Sequence, residues 1–382
     1  MKNILKKIMY MLLLSCILCN NIFATSRIIE ETSEALDLNS MIDTLNEYKD
    51  ESQLGEELDL EDISKNLITG KNNNYSKLIQ KLIDIFAGES INVTKNAIAI
   101  LIIVVIMGIF SSLELDKNSG ISKVVYLISF VFIVTILANM YADVIEDYTK
   151  TITVLSSVMQ TITPFVMIVM IASGGIVSSN LIQPIILFIA SLVGFLVNYI
   201  VIPFVTISIV MKIISMFSEN VRLNKLGELF SKSSLWITGV AFTAFLSVIS
   251  VKGSITTSVD SAVVKTTQTA VSNFIPVVGK FVSDSLESIM GATEVIGKAA
   301  GIIGIIVMIV VSAVPIIQML VIFVSHKILA ALSETIIDNK NIIGLIDGFA
   351  ETYKVLLGVL IGILALFIMS SGVLIKLIGS IT

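Results

Sequence analysis

The chain has 382 residues and a formal net charge of −5, with 55% apolar and only 14% charged residues, and its mean hydropathy is +0.94. Soluble domains carry about 25% charged residues, so this composition excludes an ordinary water-soluble enzyme and places most of the chain in a membrane. The charge is unevenly spread: 15 of the 30 acidic residues fall between Glu30 and Glu89, which leaves one small acidic segment for water.

At the N-terminus, Lys2, Lys6 and Lys7 precede an apolar run from Ile8 to Leu18, and polar Asn20 and Asn21 with small Ala24, Thr25 and Ser26 follow. A run of this length is too short to span about 30 Å of hydrocarbon as a helix, so residues 1–24 read as a signal peptide cleaved near Ala24. Leu13-Leu14-Ser15-Cys16 matches a lipoprotein cleavage box poorly. Cys16 and Cys19 are the only cysteines. Both lie in the signal, which removes thiol, disulfide and zinc-thiolate chemistry from the processed chain.

Residues 25–96 form the acidic segment, expected outside the cytoplasm. Its apolar patches, such as Leu36, Met41, Ile42 and Leu45, are too short for a core of its own, so it is expected to fold against a partner or the membrane. Near its end Leu78, Ile79, Leu82, Ile83, Ile85 and Phe86 recur at helical spacing opposite Lys77, Gln80, Lys81 and Asp84. That pattern predicts an amphipathic helix, in the membrane interface or in a soluble domain.

Uncharged runs follow at 97–113, 121–142, 185–211, 235–251, 299–325 and 355–375, and predict six spans. Between Lys150 and Lys212 no charged side chain occurs in 61 consecutive residues. One Lys or Asp at a bilayer centre costs about 2.5–3.5 kcal/mol, so lipid accounts for a stretch this clean. Two segments are harder to read. Residues 152–182 break at Gly174-Gly175 and Pro184, and 274–297 carry Lys280, Asp284, Glu287 and Glu294.

Loop charges arbitrate, because short cytoplasmic loops collect Lys and Arg. If 152–182 enters without crossing, the inner loops are 114–123, 212–234 and 326–354, with nine basic residues in 62 positions against six in 96 for the outer connections. A full crossing would erase that bias, so a re-entrant or interfacial segment is expected there.

Pro164 and Pro276 are 112 residues apart, as are Pro203 and Pro315, and Ser218-Glu219 with Asn224-Lys225 recurs as Ser333-Glu334 with Asn339-Lys340. The chain thus divides into a first hairpin, 97–142, and two membrane repeats, 143–251 and 252–382, expected to be parallel copies. A proline in a spanning helix frees a backbone carbonyl that needs another partner, so Pro203 and Pro315 should face protein or a polar cavity.

No phosphate-binding Gly loop, His-Glu-x-x-His or Gly-x-Ser-x-Gly occurs. His326, the only histidine, lies beside Lys327 at the end of a predicted span and reads as interfacial, not as a proton relay. Asp143, Glu146 and Asp147, and Asp347 with Glu351, flank spans without entering them convincingly. Few ionisable groups are expected inside spans, which argues against a coupled transporter. Asn198, Gln318, Thr206, Ser208 and Ser312 supply either an uncharged polar lining or interhelical hydrogen bonds, and Gly297-x-x-x-Gly301 and Gly358-x-x-x-Gly362 permit close helix approach, within the chain or between copies.

From about residue 90 onward the chain resembles the stage III sporulation protein AE family of endospore-forming bacteria. The resemblance is carried by Phe274-Ile275-Pro276-Val277-Val278-Gly279, by Ser283-Asp284 and by the Gly-rich run from Gly291 to Gly304. It implies a subunit of a secretion-like complex in the mother-cell membrane around the engulfed forespore. The implied partners are an ATPase, ring-forming proteins and a forespore membrane protein, with no enzyme activity, cofactor or nucleic acid. The expected architecture is an all-α polytopic membrane protein with about six transmembrane helices, two re-entrant or amphipathic segments and a parallel internal repeat. The structural or pore candidates are Pro164, Pro203, Pro276, Gly279, Asp284, Pro315, Asn198 and Gln318. The competing reading is an independent permease with its substrate site at the repeat interface.

Overall fold

The computed structural model describes residues 32–33, 36–50, 52, 54–55, 59–69, 76–113, 120–217, 223–274 and 279–379. Every regular element among them is helical. Two short helices, α1 (Leu38–Asp50) and α2 (Leu60–Thr69), precede the long ones: α3 (Ser76–Leu113), α4 (Gly120–Ala172), α5 (Ile176–Leu196), α6 (Ile202–Phe217), α7 (Asn224–Phe274), α8 (Gly279–Ile336) and α9 (Lys340–Ile378). A π-turn over Val197–Val201 joins α5 to α6 without a loop.

Six helical stretches are long and apolar enough to cross a membrane: Gln80–Ser112, Lys123–Ala172, Ile176–Phe217, Asn224–Val248, Glu287–Ile336 and Lys340–Ile378. Each contains or largely overlaps one expected span, and the protein is an all-α polytopic membrane protein. The helices outrun the spans. At 1.5 Å per residue, α4 with 53 residues and α8 with 58 extend about 80 and about 87 Å.

Residues 152–172 belong to α4 without interruption, because its buried face recurs at helical spacing straight past the acidic cluster: Val144, Tyr148, Ile152, Leu155, Met159, Ile162. The chain then reverses through Ser173–Gly175, where Gly174 takes φ 93° and the Gly175 amide donates to the Met170 carbonyl at 2.8 Å. A left-handed residue at a helix C-terminus is the position glycine suits best. α5 and α6 return antiparallel along α4. The stretch expected as a separate amphipathic helix is the start of α3, continuous with the first span.

The ends of α3, α6 and α8 and the starts of α4, α7 and α9 gather at one end. There Gly108 of α3 lies beside Ile336 of α8, Gly344 of α9 beside Met216 of α6, and the Tyr126 hydroxyl donates to the Met216 carbonyl at 3.0 Å. Towards the opposite end Gly297 of α8 sits between Val169 of α4 and Ile378 of α9, Gly301 faces Ile375, and Gly304 faces Ile162. The expected Gly297–Gly301 spacing therefore serves packing within the chain, and Gly358 and Gly362 similarly face Leu235 and Phe242 of α7.

The acidic segment packs on the bundle of its own chain. Leu38, Met41, Ile42, Leu45, Leu60 and Ile63 are buried where α1 meets α4 and α8 and α2 meets α8, and the Ser52 hydroxyl donates to the Val310 carbonyl of α8 at 3.3 Å.

Candidate functional site

The π-turn lies immediately before Pro203. Without an amide hydrogen the proline cannot bond back to the Tyr199 carbonyl, and the helix widens by one residue so that the Ile202 amide bonds the Val197 carbonyl instead. Such insertions are frequent at functional positions. Asn198 lies within the turn, and its Oδ1 is buried with no hydrogen-bond partner.

Further unpaired groups are buried in the bundle. The hydroxyls of Tyr148 (α4), Tyr353 (α9) and Ser208 (α6), with Nε2 of His326 (α8), are buried without a partner among the described residues. His326 is 2% exposed, so it is a core residue and not the interfacial one its sequence position implied. Its Nδ1 meets the Ile322 carbonyl at 2.8 Å, which makes Nδ1 the protonated nitrogen and leaves Nε2 an acceptor. The ring centroids of His326 and Tyr353 are 5.6 Å apart. The Tyr141 and Thr206 hydroxyls bond at 2.8 Å.

Charged pockets lie on two flanks of this interior. A cavity of about 180 Å³ between α3, α4 and α8 is lined by Ser52, Glu89, Asp147, Lys150, Pro315 and Gln318, and Gln318 Nε2 donates to Asp147 Oδ2 at 3.3 Å. A cavity of about 790 Å³ between α6, α7 and α9 is lined by Lys212, Glu228, Lys232, Asp347, Glu351 and Lys354. Lys212 Nζ donates to the Gly348 carbonyl at 3.1 Å, and Lys327 bridges Asp347 at 2.6 Å and Glu351 at 2.7 Å. Ionisable groups thus do occur within the span helices, because those helices run past the uncharged runs into charged stretches.

A third polar contact fixes the α4–α5 turn. Asp260 of α7, 1% exposed, accepts the Val177 amide on Oδ1 at 3.0 Å and the Ser178 amide on Oδ2 at 2.8 Å. These are orphan donors at the first turn of α5, whose own N-cap, Gly175, has no side chain to offer. A carboxylate there also meets the positive end of the helix dipole.

Of the residues expected from sequence, Pro315 and Gln318 line the smaller cavity, and Asn198, with its Oδ1 buried, lies in the π-turn before Pro203. Pro164 lies in α4, half-buried. Pro276 lies outside the described residues, Gly279 opens α8, and Asp284 lies in its second turn. Thr206 pairs with Tyr141, and Ser312 donates to the Met308 carbonyl at 2.7 Å within its own helix. Tyr148, Tyr353, Lys212 and Asp260 were not singled out by the sequence. The tyrosines carry a legible signal, since each is a polar-tipped ring on the apolar face of its helix.

The family model for stage III sporulation protein AE matches residues 58–377. The chain belongs to that family. The stage III sporulation protein AE of Bacillus subtilis (strain 168) is 29% identical over 216 residues, which cover 56% of this chain and 54% of that protein. The chain thus spans about half the length of this curated relative. No solved structure matches the chain.

Proposed function

We propose that this family member is a non-enzymatic membrane subunit of a multiprotein, secretion-like channel needed for endospore formation, linking mother cell to forespore. The observation that carries the reading is family membership across residues 58–377. The surface supports it: exposed apolar side chains on α4 fall in two groups, Val124 to Phe132 and Ile168 with Ile171, about 54 Å apart at helical rise. One bilayer of about 30 Å does not hold both, which leaves surface for other subunits. Family membership does not favour the independent permease.

In this reading the basic ends of α3, α4, α6, α7, α8 and α9 face the mother-cell cytoplasm, and the acidic segment faces the space between the two membranes. Residues 152–172 prolong α4 and 176–182 begin the return, so 152–182 adds no separate crossing. The helix ends that flank the three basic connections meet at one end of the bundle, which supports this orientation.

Affinity purification of the tagged chain from sporulating cells, in mild detergent, tests the assembly. Co-isolation with other stage III sporulation proteins, including an ATPase and ring-forming subunits, is the expected result. Recovery as a lone protein that takes up solute in liposomes would overturn it. Externally added thiol reagent should spare cysteines placed at Lys225 and Lys340, and labelling of both would reverse the orientation.

A further inference from the structure

We propose that the unpaired polar groups buried in the bundle hold ordered water, a hydrated seam within the helix packing. The inference rests on the juxtaposition of donors and acceptors and is independent of the family reading.

Tyr148 and Tyr353 are 0% exposed, and each hydroxyl lacks a partner among the described residues. A buried hydroxyl without a hydrogen bond costs about 1–3 kcal/mol, and several left dry would be a heavy and avoidable penalty. Phe in place of either Tyr would remove it at no loss of packing. Buried water is the ordinary remedy where several polar groups converge.

The groups complement one another. His326 Nε2 accepts while Tyr353, whose ring lies beside it, can donate. The Tyr141 and Thr206 hydroxyls, at 2.8 Å, form a polar pair where α4 meets α6. Asn198 Oδ1 in the π-turn and the Ser208 hydroxyl are further buried groups that water can satisfy.

Hydroxyl-radical footprinting of the full-length protein in lipid nanodiscs, with radicals generated from water by an X-ray pulse, tests this directly, because bound internal water produces radicals where it sits. Tyr148 and Tyr353 should be oxidised at rates of the same order as exposed Tyr199. Oxidation confined to exposed rings such as Tyr199 and Trp236 would overturn the proposal.

Thermal unfolding of Tyr148→Phe and Tyr353→Phe gives an independent reading. A hydroxyl bonded to water is neutral or stabilising, so Tm should fall or hold. A hydroxyl left dry is a burden, so a rise in Tm for both variants would overturn the seam. If neither variant folds, the wild-type footprint decides alone.

Discussion

Asp260 offers a sharp test of how the far end of the bundle is held. Its carboxylate accepts from the Val177 and Ser178 amides at the first turn of α5, at 3.0 and 2.8 Å. Hydrogen bonds to a charged group contribute about 1.5–3 kcal/mol each. Val177 sits at the edge of exposure, where water replaces part of the loss, so the lower bound applies to it. Asp260→Ala should therefore destabilise the turn by about 3 kcal/mol, with the lost dipole interaction adding about 0.3–1 kcal/mol. Asp260→Asn keeps one carbonyl acceptor but loses the charge and turns an amide donor towards the second N–H. It should fall between Ala and wild type.

Hydrogen exchange resolved to the peptide containing Val177 and Ser178, on protein in nanodiscs, reads this as local opening. Since about 1.4 kcal/mol is tenfold in an equilibrium constant, exchange of these amides should rise about a hundredfold in the alanine variant and less in the asparagine variant. The rest of α5 should be little changed. Unchanged exchange at both amides in Asp260→Ala would refute the cap, as would an asparagine variant worse than the alanine one.

Three further outcomes follow from packing and exposure. A Cβ on Gly304 would lie 1.9 Å from Ile162 Cδ1, so Gly304→Ala should cost about 1–3 kcal/mol in thermal unfolding, and Ile162→Val in the same chain should restore part of it; no recovery would refute the contact. Lys327 and its partners Asp347 and Glu351 keep 36–45% of their side-chain surface exposed, so Lys327→Ala should cost no more than about 1 kcal/mol, and a loss of several kcal/mol would mean that the larger cavity is dry. Trp236, the only tryptophan, is 73% exposed on an apolar face of α7. Its fluorescence should be quenched by brominated acyl chains and not by iodide in water, and the opposite pattern would take that face out of the lipid.

Hydropathy made the number of spans legible, because the cost of a charge in lipid writes itself directly into the sequence as uncharged runs. It concealed the length of the helices. Asp143, Glu146, Asp147 and Lys150 look like the end of a span, yet they occupy the exposed side of α4 while Tyr148 and Ile152 carry the buried face onward. Reading the face instead of the charge would have found the continuity. Pro203 marked a place where the backbone needed an outlet, and the π-turn is there, with Asn198 inside it. Its counterpart Pro315 lies in α8 with no such turn, so the same residue type does not dictate the same local geometry. His326 was misread because Lys327 beside it points to the surface, and neighbours in a helix face about 100° apart. Asp260 could not be found from sequence: its role depends on α7 passing the first turn of α5, a tertiary fact with no local signature.

The mismatch between helix length and membrane thickness bears on what kind of protein this is. Exposed Phe132 and Ile168 on α4, at 59% and 54%, lie about 54 Å apart along the axis. Tilting by 40° lengthens the path through about 30 Å of hydrocarbon only to about 39 Å, so no orientation puts both rows of side chains in one bilayer core. Apolar surface left in water is disfavoured by about 25 cal/mol per Å², and the surplus is repeated along α5 and α6, where exposed apolar side chains continue from Ile176 through Phe188 and Phe195 to Phe217, about 62 Å at helical rise. A self-sufficient transporter has no use for such a face, whereas a subunit that leaves it for neighbours does. Substituting Phe188 and Phe195 together by Ser should then leave the isolated protein folded while abolishing its co-isolation with partners. If the double variant still assembles, that face is covered by lipid and the assembly contact lies elsewhere.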